Sequence, residues 1–340
     1  MSAGAGGPCA TAPGPGELVA VAPGIHWTQI PIPGMLRTVN AWLFEDDDGW
    51  TVLDCGSDTP AGRAAWDALL AGPLGGERFA RIIVSHAHHD HIGLAGPLAR
   101  RLGVAVWTSG AEWQAALRRR QESTAGHDGV LAYYRSLGCT EADARGYIET
   151  RATGTRNMTD LPEDCILLGE GEEIRLAGRP WRVMTGGGHS PEHVVLHCMA
   201  DGILVTGDQL LPRITPFIGV DPSDPFADPL GSYFAALDRF AAIDDGTLVL
   251  PGHGMPFEGP ASRAAETRLH HERRLAAIEA EISRPRTGYD VARVLFPRAM
   301  GGAHERLAIS ETVAHLNHAV VTGRLTRETG ADGVHRYATA

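Results

Sequence analysis

Lysine is absent from the 340 residues, and all 30 of the basic side chains are arginine, a bias of composition rather than of chemistry. Long hydrophobic runs are absent as well. No window approaches the roughly 20 apolar residues that a membrane span needs, which excludes an integral helical membrane protein. Cysteine is scarce: Cys9, Cys55, Cys139, Cys165 and Cys198 are scattered, odd in number and without C-x-x-C spacing. A disulfide framework is therefore not expected, and a reducing cytoplasm is the expected setting. Residues 1–16 lack both a basic patch and an apolar segment, so they read as a Gly/Ala/Pro-rich disordered tail and not as a signal peptide. Positive charge is in deficit, with 41 acids and a net charge of −11, which argues against a general nucleic-acid binder. The deficit is uneven, because residues 261–340 hold 12 arginines against 9 acids.

What the chain does have is histidine in one place. Ser85-His86-Ala87-His88-His89-Asp90-His91 follows the apolar run Arg81-Ile82-Ile83-Val84, which reads as a buried strand. A turn into a helix follows it. Imidazole and carboxylate are the usual ligands of divalent transition metals. Alternate residues of an extended chain face one way, so His86 and His88 can reach one ion. A tight turn at Asp90-His91 can aim those two side chains at a second ion. A His-rich surface loop is the bland alternative, but it would not be expected to sit at a strand-to-helix switch with an acid in register.

The flanking pattern is layered. Residues 24–33, 39–44 and 49–53 read as strands, 59–71 as a helix, 81–84 as a strand, and 104–107 as another. The third strand ends in Asp54, either a partner for a metal-bound histidine or a turn-forming residue. Residues 111–122, 130–137 and 140–150 read as a helical insertion over about 110–160. It is expected to cap the site, with Tyr133, Tyr134 and Tyr147 reading as core more readily than as ligand contacts. Strands resume at 165–168, 173–176, 181–184, 194–198, 203–206 and 247–250. Three further polar sites follow such runs: His189 after Gly186-Gly187-Gly188, Asp208 after Gly207, and His253 after Pro251-Gly252. Strands alternating with helices give an α/β class. Seven donors at the ends of apolar strands form one constellation.

These residues resemble the metallo-β-lactamase fold superfamily. His86, His88, Asp90 and His91 match its H-x-H-x-D-H signature, and His189, Asp208 and His253 match its later single positions in order. The resemblance covers about residues 17–260 and implies an αββα sandwich with a dinuclear site. It implies that His86, His88 and His189 hold one ion, that Asp90, His91 and His253 hold the other, and that Asp208 bridges them. Zinc is the default metal, with iron or manganese also suited to this donor set. Two close cations would lower the pKa of a shared water, giving a bridging hydroxide near neutral pH. Asp90 and Asp208 are the catalytic candidates. His89 and His193 read as supporting or packing residues.

The branch expected is that of glyoxalase II, acyl thioesterases and lactonases. An acyl-CoA or acyl-carrier-protein thioester is the leading substrate class. A lactonase or β-lactam-type hydrolase is the rival. The loop over residues 210–229 is expected at the mouth of the site with apolar side chains, and Arg213 there reads as an anion contact or as half of a salt bridge. Residues 261–340, with helices at 264–283, 288–295 and 310–322 and a hairpin of 325–328 with 335–338, resemble the winged-helix appendage of some members. A ligand-sensing DNA-binding regulator is the rival from another class. Packing on the main domain, completing the pocket or forming a homodimer is preferred to nucleic-acid binding. His315 and His318, one turn apart, read as a partly exposed helix face rather than as a metal-binding pair, and His270, His271 and His304 read the same way.

Overall fold

The first half of the chain builds one sheet and the helices on its outer face. In order, its elements are β1 (Val19–Ala22), β2 (Ile25–Pro31), β3 (Thr38–Phe44), β4 (Trp50–Leu53), α1 (Pro60–Ala71), β5 (Phe79–Ile83), α2 (His89–Ile92), α3 (Ala95–Leu102), β6 (Ala105–Ser109), α4 (Gly110–Glu122), α5 (Asp128–Ser136), α6 (Glu141–Thr155) and β7 (Ile166–Leu168). The computed structural model describes residues 11–122, 128–155, 157–158, 160–302 and 304–340. Most of the expected N-terminal tail, with Cys9, lies outside the described residues. The strands pair in sequence order from β1 to β7. Pairing is antiparallel as far as β4 and parallel from β4 onward, where helices supply the crossovers.

A second sheet follows, from β8 (Glu173–Leu176), β9 (Arg179–Gly186), β10 (His193–Cys198), β11 (Ile203–Gly207), β12 (Leu248–Pro251) and β13 (Phe257–Glu258), with α7 (Pro229–Phe240) between β11 and β12. Its order is β13-β12-β11-β10-β9-β8, and only the β11–β12 pair is parallel. The two sheets face each other across a core of Trp27, Trp42, Phe44 and Leu53 from the first and Trp181, Val183, Leu196 and Leu250 from the second. Helices α1, α3 and α4 cover the outer face of the first sheet. Helix α7 covers the outer face of the second. The layer order is thus αββα, as the family resemblance implied.

The remainder is α8 (Pro260–Glu281), β14 (Arg286–Thr287), α9 (Gly288–Leu295), α10 (Glu305–Val321), β15 (Leu325–Thr329) and β16 (His335–Thr339). The strands make a small antiparallel sheet in the order β14-β16-β15. This region shares one apolar cluster with α7. Leu275 and Ile278 of α8 and Ile309, Val313 and Leu316 of α10 join Leu230, Tyr233 and Leu237.

Three expectations need correction. Helix α7 is not foreseen by the sequence pattern, because Pro229 and Gly231 look like loop residues. Yet proline fits the first helical turn, and Asp228 caps it by accepting from the Gly231 N–H at 2.8 Å. Second, His271, His315 and His318 are buried and not on a partly exposed face. Helix α10 runs through the middle of its region and is buried on nearly every face. Third, the loop after Asp208 turns Leu210, Leu211, Ile218 and Val220 into the core, leaving Ile214 and Phe226 as its large exposed apolar residues. The three tyrosines of the insertion do join the core, on α5 and α6, alongside Val291 of α9 and Ile309 of α10.

The buried imidazoles give the stability a sign with pH. His271 donates from Nδ1 to His315 Nε2 at 3.1 Å, and His315 donates from Nδ1 to the Glu311 carbonyl. Burial is the main cause that pushes His315 down to about 4 and His271 down to about 2, from 6.5. The unfolded chain therefore takes up protons near pH 6.5 while the folded chain cannot, so stability falls as pH drops from 6.5 toward 4. Replacing the pair (His271→Phe with His315→Leu) is expected to flatten the urea-unfolding midpoint between pH 7.5 and 5. An unchanged slope in that window would refute the assignment.

Candidate metal centre

The site is assembled at the carboxyl ends of strands. Strand β4 ends at Leu53, and the next residue, Asp54, adopts φ +66°, a left-handed conformation that aspartate tolerates better than most. The conformation directs its fully buried carboxylate across to the end of β5. There it accepts from the Ser85 N–H and Ser85 hydroxyl, both at 2.8 Å, and from His91 Nδ1 at 2.7 Å. Asp54 is therefore a partner of the histidine motif and not merely a turn residue. Because His91 donates through Nδ1, its Nε2 presents a lone pair.

Three imidazoles converge beside it. His86 Nε2 lies 2.8 Å from His88 Nδ1, His88 Nδ1 lies 2.9 Å from His189 Nε2, and His189 Nε2 lies 3.1 Å from His86 Nε2. His189 donates from Nδ1 to the Phe217 carbonyl at 2.8 Å, so its Nε2 carries a lone pair. His86 Nδ1 pairs with the Ser85 hydroxyl at 3.0 Å; that hydroxyl already donates to Asp54, so His86 Nδ1 is the donor. Burial above all holds His86 and His88 well below the usual imidazole range. Neighbouring imidazoles add to the effect at His86, and Arg119 with His189 at His88. The lone pairs of His86 Nε2 and His189 Nε2, 3.1 Å apart, repel one another unless a cation lies between them. The triangle is close to the ~3.3 Å edge expected for a tetrahedron of ~2.05 Å metal–nitrogen bonds.

The second group is mixed in charge. His253 Nε2 stands 3.4 Å from Asp90 Oδ2 and 3.4 Å from Asp208 Oδ2, and His91 Nε2 stands 3.5 Å from Asp208 Oδ1. His253 donates from Nδ1 to the Thr38 carbonyl at 2.8 Å, which leaves its Nε2 facing the acids. Asp208 Oδ2 is also 3.6 Å from His189 Nε2, so this carboxylate reaches both groups. His91 Nε2, His253 Nε2 and Asp208 Oδ1 are buried and have no hydrogen-bond partner among the described residues. Burial alone would lower the two histidines. The carboxylates outweigh it, holding His91 well above its usual range and His253 up to about 10. Positive charge is favoured at this point. Divalent ions fit both the donor set and that charge preference. His86/His88/His189, His86/His91/Asp208 and Asp90/His91/His253 each offer ligand atoms within 4.8 Å of one another. All seven residues singled out in the sequence come together.

His193 and His89 are occupied elsewhere. His193 donates from Nδ1 to the Val194 carbonyl and accepts at Nε2 from the Asp208 N–H at 3.1 Å, with its ring stacked 4.6 Å from that of His86. His89 Nδ1 pairs with the Ser57 hydroxyl at 2.9 Å.

Other supports carried no signal in the sequence. Glu112 of α4 is buried and accepts from the N–H groups of Ala87 and Glu192, both at 2.8 Å, tying the two histidine loops together. Arg119, two turns along, donates to the Ala87 carbonyl. Asn40 of β3 donates to the carbonyls of Pro251 (2.9 Å) and Gly254 (2.8 Å) and so fixes the turn that carries His253. Glycine is required at 252, where an added Cβ would stand 2.2 Å from Asp208 Oδ1.

Comparison with known proteins agrees with this geometry. A family model described as the metallo-beta-lactamase superfamily matches residues 34–253, and one described as metallo-beta-lactamase-like, C-terminal domain, matches residues 275–340. The chain is 26% identical over 299 residues to a probable metallo-hydrolase of Bacillus subtilis (strain 168), covering 85% of this chain and 90% of that one. The solved structure of a beta-lactamase domain protein from Burkholderia ambifaria superposes with a TM-score of 0.90 at 35% identity, covering 97% of this chain and 96% of that one. A metallo-beta-lactamase family protein from Thermus thermophilus gives a TM-score of 0.80 at 29% identity, covering 94% of this chain and 100% of that one. No described helix is long and apolar enough to cross a membrane.

Removing a support without touching a donor is the informative test. Asp54→Ala is expected to weaken zinc binding by about 10–100-fold. Gly252→Ala is expected to abolish most of it by displacing Asp208. Zinc titration against a chromophoric chelator reads both. Wild-type affinity in Asp54→Ala would show that His91 needs no orienting carboxylate.

Proposed function

We infer the reaction from one premise: this chain belongs to the metallo-β-lactamase superfamily. It is a metallo-hydrolase with a candidate His/Asp metal site. Our reading is that the site is dinuclear. His86, His88 and His189 would hold one ion, Asp90, His91 and His253 the other, and Asp208 both, with zinc as the expected metal. When bound, the ions supply Lewis acidity, polarising the scissile carbonyl and lowering the pKa of the attacking water. The Asp90 carboxylate would orient that water and take its proton. Asp54 and the Thr38 and Phe217 carbonyls keep His91, His253 and His189 turned toward the reacting atoms.

The substrate we propose is an acyl thioester carried by an anionic handle, such as coenzyme A or the phosphopantetheine of a carrier protein. The observation that carries this is a pair of exposed arginines, Arg37 and Arg213, that have no carboxylate partner among the described residues. Both stand where loops meet the His253 turn. Arg37 precedes Thr38, whose carbonyl takes the His253 proton, and Arg213 follows Pro212, whose Cγ would lie 2.8 Å from a Cβ on Gly254. Exposed Met35, Leu36 and Ile214 sit beside them. Arginine suits phosphate, and these apolar neighbours suit an acyl chain. The free thiols of Cys55, Cys139, Cys165 and Cys198 accord with a reducing compartment.

The order of the last elements, helix–strand–helix–helix–hairpin, is that of a winged helix, and we read the appendage as one. Its α10, the helix that a DNA reader would expose, is buried at Ala308–Ser310 and Thr312–Ala319, which favours a packing role over a regulator.

A substrate panel tests the reaction. Acyl-CoA esters are expected to turn over faster than lactones or β-lactams, and Arg213→Glu is expected to raise KM for acyl-CoA about tenfold at similar kcat. Lactone turnover exceeding thioester turnover, with Arg213→Glu silent, would move the enzyme to the lactonase branch.

A further inference from the structure

Helix α10 lies in the C-terminal region, outside the strands that carry the donors, yet it grips the loop whose Phe217 carbonyl orients His189. Ser310 donates from its hydroxyl to the Val220 carbonyl at 2.7 Å, and its backbone carbonyl accepts from the Val220 N–H at 3.3 Å. Two turns further along, Asn317 donates from Nδ2 to the carbonyls of Pro225 (3.0 Å) and Ala227 (2.8 Å). The helix thus holds the chain at two points, 220 and 225–227. Just upstream of the first point is Phe217, whose carbonyl takes the Nδ1 proton of His189. The space between is filled. A Cβ on Gly219 would lie 2.2 Å from the Phe217 ring and 2.6 Å from the Ser310 hydroxyl, so only glycine fits between that ring and α10. Ile218 and Val220 are buried in the same apolar cluster as Ile309 and Val313 of α10.

A second line of contact runs from the same helix. His318 pairs through Nδ1 with Asp228 at 3.0 Å, and Asp228 also caps α7. Tyr233 of α7 donates to the Gln209 carbonyl, one residue from Asp208. Its Cβ would stand 2.4 Å from a Cβ on Gly188, which has φ +117° and immediately precedes His189.

We propose that α10 of the C-terminal region is part of the mounting of the metal centre, with Ser310 and Asn317 as positioning residues that hold the Phe217 carbonyl against His189. The inference rests on the reading that His86, His88 and His189 hold an ion. In physical terms, a histidine ligand binds best when its other nitrogen is held by a fixed acceptor. Here the acceptor belongs to a loop without regular structure, and the loop takes its position from α10.

The test is zinc titration of the full-length chain against a chelator, with thermal melting alongside. Ser310→Ala and Asn317→Ala are expected to weaken one class of bound zinc about 10–100-fold while a second class keeps its affinity, and Ser310→Thr is expected to restore it. Thr312→Ala serves as the control, because its buried hydroxyl bonds to Ala308 within the helix and not to the loop. Equal weakening in Thr312→Ala, or a loss of both classes that follows the melting temperature, overturns the inference. So does wild-type zinc affinity in Ser310→Ala, the single-oxygen change that perturbs the core least. A wild-type chain that takes up no zinc overturns the metal reading itself, and this inference with it.

Discussion

The structure depends on keeping mutually repulsive groups together out of water. Three imidazole nitrogens meet within 3.1 Å of one another, and two carboxylates are buried next to them. Neither arrangement is favourable alone, because lone pairs repel and desolvated carboxylates are costly. Four of the histidine donors are held by a partner behind them. Ser85 stands behind His86, Asp54 behind His91, the Thr38 carbonyl behind His253 and the Phe217 carbonyl behind His189. Local strain is accepted at Asp54, where φ is positive, and the surrounding β4, β5 and α2 contacts hold it.

The sandwich provides those partners because its layers bring chain ends to one edge. Strands β4 and β5 run parallel and end together, delivering Asp54 and Ser85 side by side. Strands β11 and β12 are likewise parallel, and they deliver Asp208 and His253 to the same edge. Helix α4 adds Glu112 and Arg119 across the loop between His86 and His88. A rigid pair of sheets with donors on the connections follows the usual division of labour between scaffold and site.

The donors themselves were legible because each lies at the end of an apolar run, where a short pattern of side chains carries the whole message. Asp54 was half legible, since one polar residue after a strand reads equally well as a turn. Glu112, Arg119 and Asn40 were not legible. They act on backbone groups of distant residues, and a backbone carbonyl leaves no trace in the sequence. His315 and His318 misled for a related reason. Helix α10 is buried around its circumference, so its polar residues are satisfied by neighbouring chain and not by solvent, and helical spacing alone does not reveal which. Helix α7 was hidden by Pro229 and Gly231, whose meaning changes once Asp228 is seen as a cap.

The bonds from Asn40 to Pro251 and Gly254, and from His253 to Thr38, join positions more than 200 residues apart. Residues near the beginning of the chain thereby fix the last donor to be synthesised. During translation, a growing polypeptide that has already displayed His86, His88 and His91 has no completed cradle until the strand carrying His253 has emerged and docked. Long-range closure of this kind is slow compared with helix formation. On the reading that the site holds metal, its uptake would be a late event in the maturation of the chain, because the histidines displayed first have no finished cradle around them.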